Sequence, residues 1–333
     1  MRSVPLRLAV LMGTLCALCC AGGHAQSPST GGAQRYPAKP VRIVAPFSSG
    51  GGTDLIGRVL AQELSALLGQ PMLIDNRTGA GGHIGIEIVA RANPDGHTLL
   101  FVNQTIATNE IVYDKLKYSA PRDFAPVSKV GEFHFILTVH PSLPVNSVQE
   151  LTAYAKARPG KLTYASGGLG GVLFFAAEMY KILAGVDLTH VPYRGGGDAT
   201  TAVMANQVSL VYAAVPVGVP HIKSGRLKAL AVTGASRAEL VPQLPTMAES
   251  GVPGYEFSAW NMVLAPAGTP KTIVARLHEA IQKALRSESV RESFGRMGVT
   301  ALGSSTPEEA RAQLLSEMER YRKLVKAIGL KLQ

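Results

Sequence analysis

The residues best suited to chemistry are Pro46-Phe47-Ser48-Ser49-Gly50-Gly51-Gly52-Thr53-Asp54, set between the apolar run Val41–Ala45 and an amphipathic run that begins at Leu55. A strand, a glycine-rich turn and a helix start, in that order, leave backbone N–H groups free at the positive end of a helix dipole. Such a place binds an anion without any charged side chain. Asp54 stands in the first helical turn, where a carboxylate stabilises the dipole by about 0.3–1 kcal/mol yet would repel a bound anion. It is therefore expected to organise the loop, by turning back onto the loop amides or by pairing with Arg58 one helical turn on. A side chain at Gly51, as in Gly51→Val, is expected to block close backbone approach and abolish binding.

Further glycine clusters, Gly79–Gly82, Ser166–Gly171 and Gly195–Gly197, also follow expected strands. Each alone reads as a tight turn; together they converge where open α/β sheets bind ligands, beyond the carboxyl ends of strands. Nucleotide motifs fail on inspection. A dinucleotide fingerprint from Gly50 needs its third glycine at Leu55, and a phosphate loop from Gly52 meets Arg58 and Val59 where Lys and Ser/Thr belong. There is no Gly-x-Ser-x-Gly elbow or His-Glu-x-x-His pair, the histidines are isolated, and no carboxylates cluster for a metal. No cofactor, no metal and no catalytic residues are expected.

Arg2 and Arg7, an apolar run Leu8–Cys20, and Gly23-His24-Ala25 before Gln26 read as a secretory signal peptide over residues 1–25. All three cysteines (Cys16, Cys19, Cys20) lie in it, so the mature chain lacks disulfides and thiolates. Removing Arg2 and Arg7 takes the net charge from +10 to +8. The basic residues are scattered, which argues against nucleic-acid binding. Residues 26–35 read as a disordered linker.

From Tyr36 onward short β-branched runs alternate with helical periodicity, the pattern of an α/β protein with largely parallel sheets. Strands are expected at Val41–Ala45, Met72–Ile74, Thr98–Val102, Phe133–Val139, Leu162–Ala165, Thr189–Val191, Ser209–Tyr212, Leu227–Thr233 and Phe257–Leu264. Ser147 with Glu150 forms a capping box, and Thr269-Pro270 and Thr306-Pro307 open the last long helices. The two longest strand runs each join one βα-rich block to another. Two lobes follow, one of residues 36–137 with 256–333 and one of 138–255.

Tyr36-Pro37-Ala38-Lys39-Pro40 leading into the glycine loop, Asn76–Gly82, Pro94–Leu100, Asp123–Val127, His190–Gly196, Pro220–Gly225 and Leu264–Pro270 together resemble the Bug family of periplasmic solute receptors. These are TctC-type substrate-binding subunits of tripartite tricarboxylate transporters, and the resemblance runs in order along the whole mature chain. It implies the two-lobed type II periplasmic-binding-protein fold, a monomer in the periplasm, a small organic acid clamped in the cleft, and delivery to membrane subunits. Relatives hold a ligand carboxylate through backbone groups and waters of the first glycine loop and a facing loop. Carried onto this chain, the resemblance implies Phe47, Ser48, Ser49, Gly50, Gly51, Gly52 and Thr53 on one side. Ser166, Gly167, Gly168, Arg194 and Gly195 stand opposite, with Asn103, Gln104 and Thr105 lining the same cleft. Trp260 matches a family aromatic, with core packing as the equal alternative.

Two departures bear on specificity. Where many relatives carry Asp-Asn after the strand ending at Tyr212, this chain has Ala213-Ala214, which removes a partner for a ligand ammonium group. Where relatives carry Ser and His after the Ser166 loop, it has Val172-Leu173-Phe174-Phe175, which lacks donors for second and third carboxylates. A mono- or dicarboxylate with an apolar or aromatic body is the expected ligand. A secreted hydrolase or lyase of small acids, or a sensory receptor for a membrane kinase, are the alternatives.

Overall fold

The computed structural model describes residues 36–327; the expected signal peptide, the linker and the cysteines lie outside them. Its strands are β1 (Val41–Ala45), β2 (Met72–Asn76), β3 (Thr98–Asn103), β4 (Phe124–Val139), β5 (Thr163–Ser166), β6 (Thr189–Pro192), β7 (Leu210–Ala214), β8 (Lys228–Val232), β9 (Ser258–Pro266) and β10 (Val299–Ala301). The helices are α1 (Gly52–Leu68), α2 (His83–Ala90), α3 (Thr105–Val112), α4 (Ala120–Asp123), α5 (Val148–Lys156), α6 (Val172–Ala184), α7 (Gly196–Met204), α8 (Val215–Lys223), α9 (Lys271–Arg286), α10 (Glu288–Arg296) and α11 (Pro307–Ala327). None is long and apolar enough to cross a membrane.

Apolar periodicity decides which helix faces meet the sheet. α1 buries Ile56, Leu60 and Leu64, a spacing of four that makes one stripe. It stops at Gly69, whose left-handed conformation (φ 70°) lets its N–H reach the Ser65 carbonyl. α9 buries Val274, Leu277, Ile281 and Leu285 in the same manner and packs beside α1.

The fold is α/β with helices packed on a mixed, branched sheet ordered β2-β1-β3-β9-β4-β7-β5-β6, with β10 and β8 also pairing with β4. Parallel pairing is confined to the outer strands, β2-β1-β3 and β7-β5-β6. The long strands β4 and β9 run antiparallel to every neighbour, so the sheets are less parallel than the βα alternation suggests. The reason lies in β4 itself. Its residues Phe124–His134 pair with β9, and Phe135–Val139 pair with β7 and β8. One strand thus serves two sheets, changing partners between His134 and Phe135.

β4 starts nine residues before the expected Phe133, counted from Phe124. Pro126 disguises that stretch, and it is tolerated because the ladder with β9 shifts register between Pro126 and Ser128. The three-residue β10 is too short to read from periodicity.

Candidate ligand-binding site

Five helices, α1, α3, α6, α7 and α8, begin directly beyond the carboxyl ends of β1, β3, β5, β6 and β7. At α1, α6 and α7 the cap position is glycine (Gly51, Gly171, Gly195), and at α8 it is Ala214; none offers a side-chain cap. Among the other helices, α5 and α10 are capped by hydroxyls, Ser147 accepting from the Glu150 amide and Ser287 from Val290, whereas α2, α4 and α9 have no side-chain cap. First-turn amides are therefore left free of side-chain caps at the starts of α1, α6, α7 and α8 around one cavity, while at α3 the Thr105 amide is taken by Asn103 Oδ1 (3.0 Å).

About 530 Å³ of space not filled by atoms lies in this cavity, the open solvent at its mouth included. Its polar side is Ser48, Gly51, Gly52, Thr53, Asn103 and Thr105 from one sheet, with Gly167, Gly171 and Gly196 from the other. Its apolar side is Phe47, Phe133, Phe135, Val172, Leu173, Ala214 and Val217. The lining contains no Lys, Arg or His, and its one acid is Asp54. The hydroxyls of Ser48 and Thr105 are buried in this wall and find no partner in the protein. Buried polar atoms are seldom left unpaired, so two in one wall point to a polar occupant.

Asp54 does not face that occupant. Its carboxylate accepts from the Gly50 amide (2.9 Å), the Ser49 hydroxyl (3.2 Å), Asn76 Nδ2 (3.0 Å) and Arg58 Nε (3.0 Å). The backbone amide and Arg58, set out above as alternatives, act together. Burial alone would push this carboxyl up, but the bonds from Arg58, Gly50 and Asn76 outweigh it and hold it below the usual range. Asp54→Asn is expected to destabilise the protein by about 1–3 kcal/mol at pH 7, measured by urea unfolding. Because the folded pKa is the lower one, this contribution is complete above about pH 4. It is lost as pH falls through the folded value, so parent and variant should converge in acid. A gap that stays constant down to pH 3 would contradict the assignment.

Loops from the two sheets meet over the cavity, backbone to backbone. A Cβ on Gly195 would stand 2.6 Å from the Ser48 amide nitrogen, one on Gly197 2.6 Å from the Ser49 carbonyl, and one on Gly168 2.8 Å from Gly81 Cα. Beside them the Thr108 hydroxyl donates to the Gly170 carbonyl (2.6 Å) and the Tyr113 hydroxyl to Leu169 (3.2 Å).

Of the residues expected at the site, Phe47, Ser48, Gly51, Gly52, Thr53, Asn103, Thr105 and Gly167 line the cavity. The rest stand behind or outside it. Ser49 and Gly50 are exposed and tie to Asp54. Ser166 accepts from the Gly168 amide (3.0 Å) and lies 2.6 Å from His190 Nε2. Burial pushes that imidazole down to about 4, against the pull of Glu178, so the pair is neutral and structural. Arg194 points into solvent. Gln104 is fully buried, donating to the Ser258 carbonyl and the Tyr321 hydroxyl while accepting from the Trp260 amide. Ala213 and Ala214 alternate along β7, and it is Ala214 that faces the cavity.

Trp260 is likewise turned away. Its indole donates to Glu317 of α11 (3.0 Å), and it packs among Phe124, Met262 and Leu314. Alternation along β9 sends its neighbour Asn261 to the other face, where Asn261 Nδ2 reaches Thr53 Oγ1 (3.2 Å). Asn261, Phe133, Phe135 and Val217 were not anticipated; a lone Asn inside the apolar run Ala259–Pro266 was the available signal. Trp260→Phe is expected to leave ligand affinity within about threefold while lowering stability by about 1 kcal/mol for the lost Glu317 bond, checked by calorimetry and thermal melting. A large loss of affinity in that variant would return the ring to the site.

Fold and cavity define a solute-binding protein of the periplasmic type. Residues 56–330 match the family model described as Tripartite tricarboxylate transporter family receptor (TctC), and the chain belongs to that family. It is 36% identical over 303 residues to Protein BugT of Bordetella pertussis, covering 90% of this chain and 93% of BugT. Rpa4515 of R. palustris, solved with adipate, superposes at TM-score 0.86 with 36% identity, over 90% of this chain and all of that one. MatC (Rpa3494) from Rhodopseudomonas palustris, with bound malate, superposes at TM-score 0.82 with 32% identity, over 87% of this chain and all of that one.

Proposed function

We propose that this protein is exported through a cleaved signal peptide and binds a small organic acid in the cavity, closing two lobes around it. The lobes are residues 36–137 with 256–333 and residues 138–255; β4 and the segment entering β9 act as the hinge, and the loaded receptor meets the membrane subunits of a secondary transporter as a monomer. The observation that carries the reading is the ring of helix starts without side-chain caps around a cavity that has no cationic side chain. Such a ring takes a carboxylate through neutral donors. Phe133, Phe135, Leu173 and Val217 then face the rest of the molecule, which suits a mono- or dicarboxylate with an apolar or aromatic body. Asp54, saturated by four donors, offers nothing to an ammonium group, which disfavours amino acids.

Calorimetry with adipate, malate, benzoate, citrate and glutamate tests this. Tight binding to at least one of the first three, with the acid recovered chemically unchanged, is the expected result. Affinity for citrate or glutamate alone would defeat the ligand class, and turnover of any acid would favour an enzyme. Since Asp54 is the only titratable lining group and is already ionised, affinity for a fully ionised acid should be flat between about pH 6 and 8.

A further inference from the structure

Resting on the receptor reading above, we propose that Thr108 and Tyr113 are positioning residues that set affinity for the acid without touching it. They latch the Gly168–Gly170 segment of the second lobe onto the first once the lobes have closed. None of Thr108, Tyr113, Leu169 and Gly170 lines the cavity. Yet α3 connects the two places: Thr105 at its start stands in the cavity wall, and Thr108, three residues on, is fully buried against Gly170.

The latch consists of two hydroxyls and two successive carbonyls. Thr108 Oγ1 donates to the Gly170 carbonyl (2.6 Å) and Tyr113 Oη to the Leu169 carbonyl (3.2 Å), across 62 and 56 residues of chain. Those carbonyls lie in a turn that glycine forms most readily, with φ 119° at Gly168 and 73° at Gly170. The turn is closely seated, since a Cβ on Gly170 would stand 3.3 Å from Val112 Cγ2 of α3. The Tyr113 ring is held ready on the first lobe by His83, whose imidazole meets it edge-on with centroids 4.3 Å apart. Undoing the latch strands no buried donor. The Thr108 hydroxyl has a second acceptor within its own helix, the Thr105 carbonyl at 3.3 Å, and turns to it when Gly170 withdraws. Tyr113 is only half-buried, so its hydroxyl meets water. The two bonds therefore count in the closed state alone. Their loss lowers the closed fraction, and apparent affinity falls in proportion.

Calorimetry, with whichever of adipate, malate, benzoate, citrate or glutamate binds the parent most tightly, tests this beside thermal melting of the acid-free protein. Thr108→Val and Tyr113→Phe are each expected to weaken binding by about fivefold, and together by about 25-fold, as one and two lost hydrogen bonds would. Thr108→Ser keeps the hydroxyl and should stay within about threefold of the parent. The acid-free melting midpoint should stay within about 2 °C of the parent in all of them, because the open protein lacks these bonds. A merely structural role would do the reverse, lowering the midpoint and sparing affinity. Parental affinity in the double variant overturns the proposal, and so does an affinity loss accompanied by an acid-free midpoint lowered by more than about 5 °C. Should Thr108→Val fail to fold, Tyr113→Phe decides alone. A parent that binds none of the five acids overturns the receptor reading beneath the latch instead.

Discussion

Gly195→Ala is expected to weaken acid binding by about 100-fold or more while leaving the thermal midpoint within about 3 °C of the parent. The backbone itself accepts the change, because φ at Gly195 is 166°, extended geometry open to any residue. The obstacle lies across the cleft: the added carbon would stand 2.6 Å from both the Ser48 amide nitrogen and Oγ, and 3.2 Å from Phe47 Cβ. Ser48 cannot retreat cheaply, since the loop behind it is tied through Gly50 and Ser49 to Asp54. Neither sheet contains the clash; only their approach does. Two lobes that close as proposed above would relieve it by staying apart, and apparent affinity would fall with the closed fraction. Gly51, the position where a substitution looked most harmful from sequence, is roomier. Its Cβ would lie 3.4 Å from Gly197 N and 3.5 Å from the Ser48 carbonyl, ordinary contact distances, so Gly51→Ala should stay within about tenfold of the parent and only the branches of valine crowd the cleft. Calorimetry with the tightest acid, and X-ray scattering with and without it, separate these outcomes. A Gly195→Ala protein that binds and contracts like the parent would remove backbone contact from the closing step.

What was legible in the sequence depended on how local its cause was. The β1–loop–α1 unit could be read because a strand, a glycine-rich turn and an amphipathic stripe adjoin one another. The uncapped starts of α6 and α7 were visible as glycines after strands for the same reason. Side-chain facing was the harder matter. Trp260 and Asn261 differ by one step on β9, as Ala213 and Ala214 do on β7, and a strand sends such neighbours to opposite faces. Composition alone cannot choose the phase; the pairing of Asn103 with Asn261 across β3 and β9 does. Gln104 and Ser166 looked like cleft residues because polar residues at strand ends often are. Their bonds to Tyr321 and His190, far along the chain, draw them behind the wall. The tightness at Gly195 is the extreme case, because it arises between loops more than 140 residues apart, Ser48 and Gly195, and no local pattern encodes that approach.

Ala214→Asp is expected to lower acid affinity by about 1,000-fold, the largest effect of any single change proposed for this protein. Ala214 caps α8 and faces the cavity, and a Cβ on Gly52 would lie only 2.9 Å from its own Cβ. A carboxylate built there reaches the first-turn amides of α1 and occupies the place proposed for the acid. Stability at pH 7 should not suffer and should gain about 0.3–2 kcal/mol, as anions at helix N-termini do. The sign follows from the direction of the shift: amide donors depress the new carboxyl in the folded state, so the gain is present above about pH 4 and vanishes as pH falls through the folded value. Ala214→Asn, equal in size but neutral, separates bulk from charge and should lose only about tenfold. Equal losses in the two variants would mean that space, not potential, governs this end of the cavity. Parental affinity in Ala214→Asp would move the carboxylate away from the junction of α1 and α8 altogether, leaving the starts of α6 and α7 as its cradle.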